Sequence, residues 1–370
     1  MAEEKAELKA RIKASKDRVK VLSEQVQAAI KAKPSPLRAD AVGWSGRVKA
    51  KRKLAGHFGK VVSITWARDG VRAMTAAQDG NVIVWNAPHA KKASLVPLKS
   101  SWVMFAEMTQ DGAELFATGG LDNAATIWRT PGLGNLHKLE GEWYGHEGYV
   151  CSARFVGDSK LVTTSGDGTA ALWDLNKPQT RKTDKEIDDR VTIYRGHEKD
   201  VSSIDLDPIK TDNFVTSSTD GTCMLWSLSQ PTPNAVMRLV APIKRQHCDI
   251  NKAKFMPTGM AVAMATEARG ALLYDTRTRA PLNTFNVSTP ADVQDSAKYS
   301  LAFSKSGRLL FVACEDSSIE IWDTLLPDAT KPLQTLANVH TARVTDVAVP
   351  ASGLCLGAVS WDTFGSVTNP

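Results

Sequence analysis

An aspartate followed six residues later by a tryptophan recurs along this chain, and that repetition restricts the fold more than any other feature. The pairs are Asp79 and Trp85, Asp122 and Trp128, Asp167 and Trp173, Asp220 and Trp226, and Asp316 and Trp322. Successive tryptophans lie 43, 45, 53 and 96 residues apart. The last interval holds two repeats: its midpoint carries Tyr274-Asp275, with Ala268 in place of the upstream aspartate. A seventh copy begins at Asp362 and has Thr368 at its aromatic position. A second marker keeps the same period. Gly56-His57 lies 28 residues before Trp85, Gly145-His146 27 before Trp173, and Gly196-His197 29 before Trp226. Gln246-His247 lies 27 before Tyr274, and His340 lies 28 before Thr368.

Between the markers each unit reads as short strands joined by turns. In the first, Val61-Val62-Ser63-Ile64-Thr65-Trp66 is β-branched and apolar, and Arg68-Asp69-Gly70 is a turn. Arg72-Ala73-Met74-Thr75-Ala76 is a second strand, Gln78-Asp79-Gly80 a tight hairpin and Asn81-Val82-Ile83-Val84-Trp85 a third strand. Units of this length with Gly-His and Trp-Asp markers predict an all-β, seven-bladed WD40 β-propeller. A propeller must close, because an open ring leaves two sheet edges unpaired. The last unit has room for at most three strands before Pro370, so the strand Arg47-Val48-Lys49-Ala50-Lys51-Arg52 is expected to complete the seventh blade. Without its tryptophan, the final strand is expected to fray.

The markers read as structural. His57, Asp79 and Trp85, His146, Asp167 and Trp173, and His197, Asp220 and Trp226 can form one hydrogen-bonded network per blade with a hydroxyl such as Ser165 or Ser218. Histidine, aspartate and serine also make hydrolases, but a catalytic triad occurs once per enzyme and this set recurs. No GxSxG string is present. One histidine per blade is also the wrong arrangement for a metal site, and neither metal nor cofactor is called for. The cysteines Cys151, Cys223, Cys248, Cys314 and Cys355 are odd in number and far apart, as expected of small core hydrophobes in a reducing cytosolic setting.

Charge divides the chain. The net charge is +6, but residues 1–53 hold 15 Lys/Arg against 6 Asp/Glu, and the remainder 31 against 34. The basic character therefore belongs to an N-terminal arm. Residues 3–32 read as one helix that Pro34 and Pro36 end. Leu8, Ile12, Ser15, Val19, Leu22, Val26 and Ala29 follow alternating steps of four and three, a narrow coiled-coil seam that needs a partner helix. The expected organisation is a helix over 1–33, a linker over 34–46 and the propeller over 47–370. The N-terminus lacks the apolar stretch of a signal peptide, and no apolar run reaches the roughly 18 residues of a membrane span.

Arm, repeats and local strings together resemble the beta subunit of heterotrimeric G proteins. The strings are Ser100-Ser101-Trp102-Val103-Met104, Gly119-Gly120-Leu121-Asp122-Asn123, Gly145-His146-Glu147-Gly148-Tyr149, Phe303-Ser304-Lys305-Ser306-Gly307-Arg308-Leu309 and Ser360-Trp361-Asp362-Thr363-Phe364. The resemblance implies a permanent gamma subunit on the arm through Leu8, Ile12, Val19, Leu22 and Val26. It implies one propeller face that binds a GDP-loaded alpha subunit and, once released, effectors. That face would include Lys60, Trp102, Met104, Leu121, Asn123, Tyr149, Asp200, Asp249 and Trp361, with Phe58 and Lys92 meeting the alpha subunit beside the first blade. It further implies a cytoplasmic protein held at the inner face of the plasma membrane by its partners' lipids, with no nucleic acid bound.

Several positions depart from the family's pattern. Val62 and Ser202 stand where a tyrosine and a methionine are usual, and Glu147 where a threonine is. Residues 178–193, rich in lysine, aspartate and glutamate, read as an insert between units three and four. A WD scaffold of another kind, such as one resembling the ribosomal receptor for activated C kinase, is the competing reading, and the coiled-coil arm argues against it. A structural propeller whose basic arm contacts nucleic acid is a second.

Overall fold

The computed structural model describes residues 16–17, 49–109, 115–130, 137–176, 191–230, 237–240, 248–268, 270–286, 296–326 and 331–369. Lys16 and Asp17 are helical and exposed. The rest of the expected arm helix, with every seam residue from Leu8 to Val26, lies outside the described residues. So does His247.

Residues 49–369 form seven four-stranded antiparallel sheets. Blade 1 consists of β2 (Val61–Trp66), β3 (Arg72–Ala77), β4 (Asn81–Asn86) and β5 (Lys91–Pro97), each paired with the next; β1 (Lys49–Ala55) precedes it in the chain. Five more blades repeat this order over residues 103–144, 150–195, 201–240, 250–285 and 298–336. The seventh is built from 344–369 and β1. The second and third strands of each blade meet at a tight turn that needs one left-handed residue. Gly80, Gly168, Gly221 and Gly270 supply it in four blades, and Asn123, Ser317 and Thr363 in the others, with φ between +58° and +80°. Glycine takes this conformation freely, whereas a β-branched residue such as Thr363 is strained in it.

The inner strand of every blade adjoins the inner strands of both neighbours, so the ring is closed. Its apolar clusters lie between blades. One joins Val215, Cys223 and Leu225 of blade 4 to Phe255, Met264 and Tyr274 of blade 5, and another joins Val82 and Val84 of blade 1 to Val103 and Phe116 of blade 2. Burying one face against each neighbour is what lets such short strands persist, since a lone four-stranded sheet has too little apolar surface of its own.

Closure is made by the strand nearest the N-terminus. β1 pairs antiparallel with the last strand, Phe364–Asn369, from Lys49 opposite Asn369 to Ala55 opposite Phe364. It runs three residues further than the expected 47–52. Lys53 Nζ sits 3.5 Å from the Phe364 ring centre, a cation–π contact across the seam. The final strand is bonded on both sides, with Thr368 between Ala50 and Leu356, and Thr368 is fully buried. The expected fraying does not occur: pairing on both edges replaces the anchoring that the tryptophan would give. The expected insert also shrinks, because Val191–Arg195 is the outer strand of blade 3.

The repeated network forms, with a different hydroxyl. His146 Nδ1 lies 2.9 Å from Asp167 and its Nε2 2.7 Å from Thr163 Oγ1, to which the Trp173 indole N–H donates at 2.8 Å. Thr75 serves His57 and Trp85 at 2.7 and 2.8 Å, and Thr216 serves His197 and Trp226, both at 2.8 Å. These distances order the donors as tryptophan to threonine, threonine to histidine, and histidine to aspartate. Ser165 and Ser218 were the expected hydroxyls, but they accept from the main-chain N–H of Asp167 and Asp220 instead, bracing the turn. Pairing register explains the correction: Trp173 pairs with Leu161 and Trp226 with Phe214, so the next residue on the same face is Thr163 or Thr216, and Ser165 and Ser218 lie two residues farther along. Blade 7 is rewired. Ala358 stands where blade 1 has Thr75, and His340 Nε2 instead meets Ser366 Oγ at 2.9 Å while Nδ1 keeps Asp362 at 2.9 Å. In blade 6 a buried ion pair takes over: Lys298 Nζ donates to Glu320 at 2.9 Å, and the Trp322 indole N–H donates to the other Glu320 oxygen at 3.0 Å.

A belt of alternating charge links the inner strands. Glu107 of blade 2, Arg154 of blade 3, Asp205 of blade 4 and Lys254 of blade 5 occupy the same strand position. Arg154 bonds Glu107 at 2.8 Å and Asp205 at 3.2 Å, and Lys254 bonds Asp205 at 2.9 Å. Lys252 pairs with Asp346 of blade 7, whose other oxygen accepts from the main-chain N–H of Ile64 in blade 1 at 3.0 Å.

Candidate protein-binding face

One hydrogen bond is common to all seven blades, and it defines a surface. The residue just before each inner strand accepts, through its carbonyl, from the N–H of the residue just after the second strand. The pairs are Lys60 with Gln78, Trp102 with Leu121, Tyr149 with Gly166, Asp200 with Thr219, Asp249 with Glu267, Ala297 with Glu315 and Arg343 with Trp361, at 2.9 to 3.2 Å. These fourteen positions therefore lie at the same end of every blade. Seven of the eleven residues implied for the shared face fall among them: Lys60, Trp102, Leu121, Tyr149, Asp200, Asp249 and Trp361. Met104 is the bulged residue of its inner strand, directly after Val103, and Asn123 is the left-handed turn residue after Leu121. The structure gathers all nine at one end of the ring.

Backbone geometry fixes the anchors. A Cβ on Gly120 would lie 1.9 Å from the Trp102 carbonyl oxygen, so only glycine lets Trp102 and Leu121 meet there. Trp102 and Leu121 are each 50% exposed, an unusual state for large apolar side chains on one side of a blade. The Asn123 side-chain amide donates to the Glu147 carbonyl at 3.1 Å, tying blade 2 to blade 3. The Tyr149 hydroxyl donates to Asp200 at 2.5 Å, tying blade 3 to blade 4, and burial together with that bond pushes the phenol well above its usual pKa. Trp361 is clasped between two cations, with Lys60 Nζ 3.7 Å and the Arg343 guanidinium 3.5 Å from its ring centre. Arg343 also lies 4.4 Å from the Tyr299 ring.

The face is electrically polarised. Lys60 and Arg343 occupy blades 1 and 7 on either side of Trp361, Trp102, Leu121 and Tyr149 occupy blades 2 and 3, and Asp200, Asp249, Glu267 and Glu315 occupy blades 4 to 6. A partner read by such a surface needs a fixed orientation, since like charges opposed across an interface are costly. Arg343, Tyr299, Glu267 and Glu315 were not among the expected residues. The signal for Arg343 was present: it lies three residues after His340, as Lys60 does after His57, Tyr149 after His146 and Asp200 after His197.

Phe58 and Lys92 sit apart from this group. Phe58 is 92% exposed and its N–H donates to Asp79 at 2.8 Å. Lys92, on the outer strand of blade 1, reaches back to the Gly56 carbonyl at 3.1 Å. Both therefore border the outer side of blade 1 near its Gly-His corner. Among the described residues no group of three His, Cys, Asp or Glu side chains converges as a metal site.

Seven sheets closed by the opposite end of the chain, a recurring His–Asp–Thr–Trp network and a single polarised aromatic face define a WD-repeat propeller that works as a binding platform. The family model described as G protein beta WD-40 repeat protein matches residues 5–369, and the chain belongs to that family. Curated relatives agree. The chain is 32% identical over 322 residues to a guanine nucleotide-binding protein subunit beta of Solanum tuberosum, covering 84% of this chain and 81% of that protein. It is 33% identical over 325 residues to the Oryza sativa subsp. japonica protein of the same name (84% and 80% covered), and 32% over 319 residues to that of Arabidopsis thaliana (84% and 81%).

Proposed function

We propose that this chain acts as the beta subunit of a heterotrimeric G protein. Its arm pairs permanently with a small helical gamma subunit, and the face around Trp102 binds a GDP-loaded alpha subunit. After release, the same face binds effectors, so competition for one surface is the switch. The observation that carries this reading is the collection of Trp102, Leu121, Tyr149 and Trp361 with a cationic and an acidic flank at one end of the ring. Large amphipathic side chains at the centre and charge at the rim are the composition of an interaction hot spot. The histidine networks support a binding role over a catalytic one, because Thr75, Thr163 and Thr216 are 0 or 1% exposed and already shared between an indole and an imidazole. Attachment to the inner face of the plasma membrane would come from lipids on the partner subunits.

Co-purification of the native chain tests the proposal. A small helical partner should come with it, and the pair should bind a GDP-loaded G-protein alpha subunit. Trp102→Ala should weaken that binding by about 1 kcal/mol or more, as for a central aromatic anchor. Leu22→Asp should abolish the helical partner while the propeller's melting stays unchanged. Absence of both partners from the wild-type preparation refutes the proposal.

A further inference from the structure

Blades 1, 3, 4 and 7 carry a histidine four residues ahead of the inner strand: His57, His146, His197 and His340. Each meets its turn aspartate at 2.9 to 3.1 Å. The equivalent residue of blade 2 is Lys99, and it points elsewhere. Its side chain is 72% exposed and its ammonium pairs with Glu142. The remainder of the network is in place, since the Trp128 indole N–H still donates to Thr118 at 3.2 Å and Asp122 still begins the turn. A small cleft, open to solvent, is left there, lined by Lys99, Trp102, Thr118, Asp122, Trp128 and Glu142.

Asp122 is poorly provided for compared with its counterparts. Asp79, Asp167, Asp220 and Asp362 each accept from a histidine and from the next main-chain N–H, at 2.8 to 3.1 Å. Asp122 accepts from the Ala124 N–H at 3.4 Å, and the main chain of Gly120 and of Asp122 itself also favours its charge, but no histidine reaches it. Burial and the nearby Glu142 push its carboxyl above the usual range, whereas those four are held below theirs. Lys99 offsets the charge of Glu142, with which it pairs, and leaves Asp122 as the uncompensated negative charge of the cleft, a poor setting for an anion and a good one for a cationic N–H donor. Trp102, half-exposed, lines the cleft and can receive an alkyl stem.

We propose that this cleft receives one basic side chain, lysine or arginine, from the protein that docks on the Trp102 face, its N–H groups bonding Asp122 as histidine does in the sister blades. The inference rests on the reading of that face as a docking surface. The partner's donor enters where the chain's own donor is turned away, so blade 2 is completed by the complex.

The test uses the full chain purified with its helical partner, and a purified GDP-loaded G-protein alpha subunit as probe, with affinity measured by calorimetry and melting by differential scanning fluorimetry. Asp122→Asn keeps the turn's acceptor oxygen and removes the charge, so affinity should fall about tenfold or more. Lys99→His should fill the cleft from within the chain, raising Tm above wild type and weakening the alpha subunit. If Trp102→Ala weakens binding while Asp122→Asn and Lys99→His bind as wild type, the cleft proposal is overturned and the docking face stands. If the wild type itself does not bind, the docking reading fails. A Lys99→His chain that melts no higher than wild type then overturns the unfilled histidine position too.

Discussion

Removing Arg154 should expose how much the charge belt contributes. Arg154→Ala deletes two ion pairs at once, to Glu107 at 2.8 Å and to Asp205 at 3.2 Å. The two losses are unequal. Asp205 keeps Lys254 at 2.9 Å and the Phe255 N–H at 3.0 Å, so its charge remains compensated. Glu107, whose side chain is 14% exposed, loses its close cation. Stranding one buried charge costs about 3–5 kcal/mol, and with one orphan instead of two the lower end of that range applies. For a domain of this size about 1 kcal/mol moves Tm by roughly 2–4 °C, so a fall of about 6–12 °C is expected. The cost should depend on pH with a defined sign. Burial already pushes the Glu107 carboxyl above the usual carboxylate range, against the pull of Arg154, and losing Arg154 raises it further. A group whose folded pKa exceeds its unfolded value near 4.3 is accommodated when protonated and destabilises as pH rises through the folded pKa. The Tm gap between wild type and variant should therefore be widest near pH 8 and narrow towards pH 5. Glu107→Gln combined with Arg154→Ala should recover part of the loss, because no orphan charge remains. Thermal melts at five pH values, repeated for the double variant, give the answer. A gap under about 3 °C, or one that does not change with pH, would refute the reasoning.

Two further outcomes follow from the repeats. Thr163→Val removes the hydroxyl that serves both His146 and Trp173, leaving two buried polar groups without it, and should cost about 2–4 kcal/mol in urea unfolding; a cost below about 1 kcal/mol would mean water replaces it. Thr363→Gly should stabilise by about 1 kcal/mol, because a β-branched residue sits at φ +75°, and a lower Tm would show that the threonine side chain outweighs its strain.

The repeat made most of the fold legible. Aspartate–tryptophan spacing located five blades, and the histidine markers His247 and His340 recovered a sixth and a seventh despite Tyr274 and Thr368. The need to close the ring pointed to the basic strand before the first repeat, and the pairing of Lys49 with Asn369 follows from it. The resemblance pointed to nine positions that the fold gathers at one end of the ring. Arg343 escaped because the resemblance did not carry it over, although its spacing from His340 matched that of Lys60 from His57. The hydroxyl of the network escaped for a different reason. Ser165 and Thr163 are both apt partners by chemistry and share one face of the strand, and the pairing register, Leu161 opposite Trp173, decides which one reaches the indole.

By itself, then, the sequence determined the number of blades, the strand that closes them and the residues that mark each turn, because these depend on local periodicity and turn chemistry. Only the tertiary structure decided which side chains of different blades meet. The clasp of Lys60 and Arg343 on Trp361 joins residues some 300 positions apart, and the belt from Glu107 to Lys254 joins four blades. Such contacts are set by how successive sheets pack around the ring, and that packing has no counterpart in the spacing of any one repeat.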